Sequence, residues 1–423
     1  MAQLTDDCFA FSGPLMPVAE MERLIETRVT PVAERETVSL ALARGRAAAD
    51  DVVAPVDLPH FDNSAVDGYA VRHADLKPDA DTLLRISARV MAGEKAAVPL
   101  APGEAIRIFT GAPMPMGADT VFMQEDVREE NGRVIVPSGL KQGANRRLAG
   151  EDLKKGSVAI PAGRIMDAQN VALAAALGLR EIGVLRKIRV AIFSTGNEVI
   201  EAGEQLSGAS VYDANRALLR ELLMRLGCEV SDLGILRDDP GKLGEALRKA
   251  AAGNDLVVTT GGVSTGEADH VKSAVESVGS LTFWRIAIKP GRPVAMGVIR
   301  AENGANAAFV GLPGNPVAAF VTFVRVVRPL VLRLAGATPK PFLSLPVISS
   351  FDYKKKSGRR EYVRVALRAR ADGDYDAIKH PQDGAGVITS LTETDGLIEL
   401  PEEVTQISTG ERVRFLSYAS LTS

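Results

Sequence analysis

Apolar and polar positions follow two different periods along this chain, and the period switches at a few identifiable places. Near the start, Val18, Met21, Leu24 and Ile25 recur at three- and four-residue spacing, which predicts a helix with one buried face. A second apolar helix, NVALAAALG, is predicted to follow Asp167 and to stop at Gly178. The two are expected to pack together in one discontinuous domain. Between them, runs such as AIRIF and RVIVP are broken by Pro-Gly, Asn131-Gly132 and MPMG turns, the texture of an inserted, mostly β domain.

Further along, short apolar strands alternate with helical segments. IRVAIF, a helix over 213–227, CEVSDLGIL, a helix near 242–252 and DLVVTT come first; a helix near 270–278, FWRIAI, PVAMGV, AAFVG and a long helix over 317–334 follow. Such alternation predicts a mostly parallel sheet covered on both faces. GATPKPFLSLP reads as a linker, and REYVRVALRARADGDYDAI as a hairpin turning at Asp372-Gly373 in a small β domain. The expected fold is multidomain, α/β and β. A discontinuous helical hinge domain covers 17–55 and 147–185, an inserted mostly β domain 56–146, a central α/β domain 186–336 and a small C-terminal β domain 337–423.

Composition changes this picture mainly by exclusion. The 423 residues carry 50 basic and 53 acidic side chains, so no bulk field collects nucleic acid or an anionic membrane, and any anionic substrate must be caught locally. Two cysteines, Cys8 and Cys228, and the scattered His60, His73, His270 and His380 exclude zinc modules, iron–sulfur spacing and a disulfide framework. A bound metal would be held by oxygen. The start, MAQLTDDCFA, is acidic where a signal peptide is basic, and no stretch approaches the roughly 18 apolar residues of a membrane span. A cytoplasmic protein without membrane or nucleic-acid partners is expected.

Five unusual loops each follow a predicted strand: STGNE (194–198), RDD (237–239), GGVSTGEAD (261–269), KPGRP (289–293) and LPGNP (312–316). They therefore crowd one edge, where open α/β sheets bind ligands. Gly261, Gly262 and Gly266 allow main-chain N–H groups close to an anion, and Ser264 and Thr265 add donors; an ordinary strand-to-helix turn uses the same residue types. Glu198, Asp238 and Asp269 fall on three loops at this edge. A phosphate about 4 Å from one carboxylate is repelled by roughly 4 kcal/mol at an effective ε of 20, so anion and acids together call for a hard cation, Mg²⁺ by preference. Solvated turn acids or helix caps are the plainer account. Lys289 and Arg292, with Arg285 nearby, suit an oxyanion. Pro313 and Pro316 stiffen the entry to the long helix. The run PHFDNSAVDGYA gathers Asp62, Asn63, Ser64 and Asp67, with Asx-turn formation as the competing account.

Taken together, PHFDNSAVDGYAV, IFTGAPMPMGADTVFMQED, GEDL, FSTGNE, YDANR, LRDDP, TTGGVSTGEAD, AIKPGRP and GLPGNPVAA resemble the molybdopterin molybdenumtransferases, which finish the molybdenum cofactor. The likeness runs from about residue 17 to 336 and more weakly to the end; the chain is also similar to the C-terminal domain of gephyrin. The resemblance implies an elongated homodimer of four-domain subunits, its cleft lying between the α/β domain of one subunit and the inserted domain of the other. It implies that adenylated molybdopterin binds with Mg²⁺, that molybdate is inserted at the dithiolene sulfurs, and that AMP is released. By motif it implies Asp67 and Thr110 as cross-subunit contributors and Arg147 and Asp152 as hinge-side polar residues. Glu198, Asp238 and Asp269 become the acidic set around magnesium and nucleotide, Lys289 and Arg285 a basic pair, and Pro313 and Pro316 the shapers of the cleft beside the oxyanion. Transient contacts with the preceding adenylyltransferase and with recipient molybdoenzymes are implied as well.

One departure stands out. Relatives often place a serine after a glutamine in a C-terminal loop, whereas here Gln382 is followed by Asp383, Gly384 and Ala385. That carboxylate is expected to repel molybdate, so no catalytic role is expected of the loop. Two other readings stay open. A scaffold of the same fold is disfavoured by the complete acidic and basic set, and an ATP-dependent molybdopterin adenylyltransferase by the inserted and C-terminal domains.

Overall fold

The computed structural model describes residue 9 and residues 15–94, 99–237, 239–261 and 270–422. The chain divides into two units, one formed by Met1–Ala49, Gly163–Asp167 and Gly183–Ser423, the other by Asp50–Ala162 and Ala168–Ile182. Among the described residues no helix is long and apolar enough to cross a membrane.

The larger unit is built on a six-stranded sheet. Glu229–Ile235, Arg189–Ser194, Leu256–Thr260 and Asn306–Leu312 lie side by side and parallel; Pro293–Arg300 and Gly279–Arg285 extend the sheet as an antiparallel meander. The predicted parallel order holds for four strands. It fails for two because the connections 286–292 and 301–305 are far shorter than the dozen or so residues that a parallel crossover needs. The register nevertheless pairs Arg285 with Pro293 and Ala295 with Gly311, so residues 285–293 emerge at the same edge as Leu312 and Thr260.

Helices cover this sheet much as the periodicity predicts. The carboxylate of Asp213 accepts the Arg216 N–H and caps Ala214–Arg225, and Asp239 caps Pro240–Gly253 in the same way. Helix Val18–Arg28 buries Val18, Met21, Leu24 and Ile25 and packs on the long C-terminal helix of the α/β layer. The second predicted hinge helix, Ala168–Ala176, falls in the smaller unit and packs on strand Val158–Ile160.

Beyond residue 344, five strands close on themselves. Arg360–Ala369, Tyr375–Lys379, Leu345–Ser349, Arg412–Ser417 and Gly396–Leu400 pair in that order, and the last pairs back with the first, around Val347, Val365, Ile398 and Phe415. Gly373, at φ 90°, makes the predicted hairpin turn. Ile288–Lys289, from the α/β layer, adds a short parallel strand to this barrel and sets Lys289 opposite Glu361.

The long helix is Pro316–Thr322, a π-helical turn Phe323–Val327, then Arg328–Leu334. The π turn directs buried Arg325 onto the buried carboxylate of Glu399, which also accepts from Tyr362 Oη at 3.2 Å. Removing Arg325 leaves the buried carboxylate with Tyr362 and the more distant Arg360 and Arg414, each at 3.6 Å. Arg325→Met is therefore expected to cost about 1–3 kcal/mol in urea unfolding of the purified chain; an unchanged midpoint would show that the pair does not tie helix to barrel.

In the smaller unit a second six-stranded sheet runs in the order Thr120–Met123, Gly68–Val71, Glu104–Ile108, Thr82–Val90, Arg133–Val136, Arg128–Glu130. Ala70, Ile106, Ile108 and Val121 pack on one face, Tyr69, Val71, Leu84 and Val134 on the other. Period-2 alternation with both faces covered explains the continuous apolar runs read as β.

Candidate functional site

The parallel strands of the larger unit deliver polar loops to their carboxyl edge, as the topology requires. After strand Arg189–Ser194 the chain turns at Gly196, φ 134°, and the Glu198 carboxylate folds back to 2.9 Å from where a Cβ at Gly196 would sit. Gly261, φ 84°, ends strand Leu256–Thr260; a Cβ there would meet the Thr195 carbonyl at 2.8 Å, and its N–H donates to Leu312 O at 3.2 Å. Only glycine can knit these three strand ends together. Asn215, to which the reading of YDANR gave no role, donates from Nδ2 to Thr260 Oγ1 at 2.9 Å and to the Gly314 carbonyl at 2.7 Å.

Gly262, Ser264, Thr265, Gly266, Asp269 and Asp238 lie outside the described residues. Of the three acids expected around Mg²⁺, only Glu198 therefore has a described position. Among the described residues there is no cluster of three or more His, Cys, Asp or Glu side chains that could hold a metal ion. Glu198 itself is an exposed oxygen donor at the strand-end edge, and that chemistry fits a hard cation.

Where this edge meets the barrel there is a cavity of about 380 Å³. Lys289 and Pro313 line it from the α/β layer, and Tyr353, Glu361, Arg364 and His380 from the barrel. Lys289 Nζ is 3.2 Å from Glu361 Oε2 and 3.4 Å from Tyr353 Oη. Arg364 is only 5% exposed, and burial lowers its pKa. It donates to the carbonyls of Gln382, at 2.8 Å, and Gly384, at 3.3 Å, while its Nε is buried with no hydrogen-bond partner. Among the described residues no carboxylate pairs with it. His380 anchors the same loop, with Nδ1 3.2 Å from the Gln382 N–H and Nε2 3.0 Å from the Glu393 carboxylate. The Val317 N–H donates to Ala385 O at 3.0 Å, docking the loop on the LPGNP turn.

Asp383 of this loop also lines the cavity, and its charge is felt at Arg364 and Tyr353, as expected of a carboxylate that opposes an oxyanion. Its pairing with Lys379 at 2.8 Å and its exposure offset part of that charge. Arg285 and Arg292 are exposed and outside the cavity lining; both serve through the main chain, Arg285 O accepting from Met16 N and Arg292 O from Ile286 N. Pro313 lines the cavity, whereas Pro316 heads the helix.

In the smaller unit, Asp67 Oδ1 accepts from Thr110 twice, from N–H at 2.8 Å and from Oγ1 at 2.7 Å. The Thr110 N–H, then its hydroxyl, hold the Asp67 carboxyl below the usual range, with Arg107 adding to the effect. Gly68 is forced by close approach, since a Cβ there would overlap the Phe122 carbonyl. Arg147 Nε donates to Glu151 at 2.6 Å. Asp152 is exposed, its N–H held by Leu58 O.

Sequence reasoning missed Tyr353, Glu361, Arg364 and His380. The available signal was REYVRVAL, in which charges interrupt an otherwise apolar strand.

The family described as MoeA N-terminal region (domain I and II) matches residues 16–178, that described as probable molybdopterin binding domain matches 191–333, and the MoeA C-terminal region (domain IV) matches 346–418. A molybdopterin molybdenumtransferase of Haemophilus influenzae is 38% identical over 90% of this chain and 93% of that protein. One of a Nostoc species is 36% identical over 90% and 88%. The crystal structure of the molybdopterin biosynthesis moeA protein from Pyrococcus horikoshii OT3 superposes with a TM-score of 0.78 at 30% identity, covering 96% of this chain and all of that one. With these likenesses spanning both units, the chain belongs to the molybdopterin molybdenumtransferase family.

Proposed function

We propose that this chain inserts molybdenum from molybdate into adenylated molybdopterin and releases AMP. The observation that carries the reading is Arg364, a buried guanidinium in a cavity with no carboxylate partner among the described residues. A buried cation is costly until an anion joins it. Lys289, half-exposed and lining the same cavity from the α/β layer, adds a second positive charge. A tetrahedral dianion answers both, and the cavity has room for the dithiolene end of a pterin beside it.

In this reading the two dithiolene sulfurs form Mo–S bonds, and one oxo group leaves as water with the two thiol protons. Water cleaves the phosphoanhydride, so AMP departs and the pterin keeps its own phosphate. Arg364 and Lys289 bind and neutralise the oxyanion, the run from Gly261 to Gly266 cradles phosphates, and Glu198, Asp238 and Asp269 would hold Mg²⁺. Bound there, Mg²⁺ would draw phosphate and carboxylate oxygens together and stabilise charge on the departing AMP.

The proposal includes a homodimer in which Asp67 and Thr110 of one protomer complete the cleft of the other. It keeps the four-part domain division given above, Arg147 and Asp152 at the hinge, and a cytoplasmic setting with passing contacts to the preceding and recipient enzymes.

The test is AMP formation by the purified chain supplied with adenylated molybdopterin, molybdate and Mg²⁺. AMP is expected only when molybdate is present, and chelation with EDTA is expected to lower the rate at least about tenfold, reversed by added Mg²⁺. Peptide binding without AMP would point to a scaffold; ATP consumption with pyrophosphate release would point to an adenylyltransferase.

A further inference from the structure

We propose that Glu361 is a positioning residue for Lys289, holding its ammonium group against the cavity wall where the oxyanion binds. The inference rests on the reading of the cavity given above and deepens it. Glu361 is 1% exposed, and both of its oxygens are occupied: Oε1 accepts from Arg359 Nε at 2.7 Å, Oε2 from Tyr353 Oη at 2.9 Å and from Lys289 Nζ at 3.2 Å. The backbone sets this up, since Lys289 and Glu361 are register partners in the parallel pair that joins α/β layer and barrel.

A buried carboxylate lining an anion cavity would by itself repel the anion. Its presence makes sense as an anchor, with its charge cancelled by the cations it holds. Lysine needs such an anchor, because its ammonium is a point charge on a flexible four-carbon stem. Tyr353 closes the arrangement from the other side, its hydroxyl 3.4 Å and its ring centroid 5.9 Å from Nζ. Burial, then Glu361, pushes the Tyr353 phenol pKa up, so the hydroxyl stays a donor to the carboxylate. An exposed ion pair contributes little, but here the anion is buried and charge-assisted bonds fix it.

The test is steady-state AMP release by the full chain as molybdate is varied. Wild type, Glu361→Gln and Tyr353→Phe are compared, each variant alone and combined with Lys289→Met. Glu361→Gln is expected to raise KM for molybdate at least about tenfold, as displacement of a binding group by about 1 Å does, with KM for adenylated molybdopterin unchanged. Tyr353→Phe is expected to shift it in the same direction by less. In the Lys289→Met background neither change adds a further loss, since both act through the ammonium. Losses that multiply in the double variants, or equal rises in both KM values, overturn the proposal. Should Glu361→Gln fold poorly, Tyr353→Phe decides alone, because it removes one hydroxyl and keeps the carboxylate. If Lys289→Met itself keeps wild-type molybdate dependence, the cavity reading falls first and takes this one with it.

Discussion

Replacing Arg364 by methionine is expected to lower molybdate-dependent AMP release by about 10²- to 10³-fold, the loss typical of removing one preorganised donor from a site of developing charge. The physical reason is charge balance. At 5% exposure the guanidinium is stripped of most of its water, and its hydrogen bonds go to the carbonyls of Gln382 and Gly384, which offer dipoles but no countercharge. An oxyanion therefore gains both a strong electrostatic partner and a donor group already held in place. Arg364→Lys keeps the charge but not the planar guanidinium, whose Nη2 alone holds both carbonyls and leaves its other N–H groups for an anion, so it should recover only part of the rate. Circular dichroism and thermal melting, run alongside, separate this loss from unfolding. A fall of less than about threefold in Arg364→Met, in a folded protein, would remove Arg364 from the oxyanion site.

The second large effect concerns the proposed dimer. Asp67→Ala and Arg364→Met are each expected to be nearly inactive alone. If every cleft takes Asp67 from one protomer and Arg364 from the other, a mixed dimer carries one doubly damaged cleft and one intact cleft. Random reassortment makes half of all dimers mixed, so refolding the two variants together should restore about a quarter of wild-type activity. Tenfold or greater recovery over either variant supports the cross-subunit cleft. No recovery, with native mass spectrometry of differently tagged protomers showing that mixed dimers formed, would place both residues in one subunit's cleft or outside it. The Asp67–Thr110 pair suits such a role, because two donors from Thr110 keep the carboxylate ionised and fixed just ahead of strand Gly68–Val71, half-buried.

Much of the fold was legible because its signals are local. Val18, Met21, Leu24 and Ile25 announced a one-sided helix, Asp213 a helix start, and Asp372-Gly373 a hairpin. Strand direction at the far side of the α/β sheet was not legible, since FWRIAI, PVAMGV and AAFVG read alike whether parallel or antiparallel; only the shortness of 286–292 and 301–305 betrays the meander.

The site divides in the same way. Lys289 and Pro313 stood out because glycine and proline surround them at a strand end. Arg364, Glu361, Tyr353 and His380 did not, because they come from a barrel whose approach to the α/β edge is set by a long-range pairing, Lys289 with Glu361. Asp383 was legible as a charge in this loop, and it does line the cavity; its partial offset by Lys379, four residues earlier, shows only in the folded loop.

The most direct measurement is anomalous diffraction at the molybdenum edge from crystals of this protein soaked in molybdate. The account predicts a peak inside the cavity, within hydrogen-bonding distance of Arg364 and Lys289 and lost in Arg364→Met. A peak found only elsewhere, or no peak from crystals whose dissolved protein still releases AMP in a molybdate-dependent way, would contradict it.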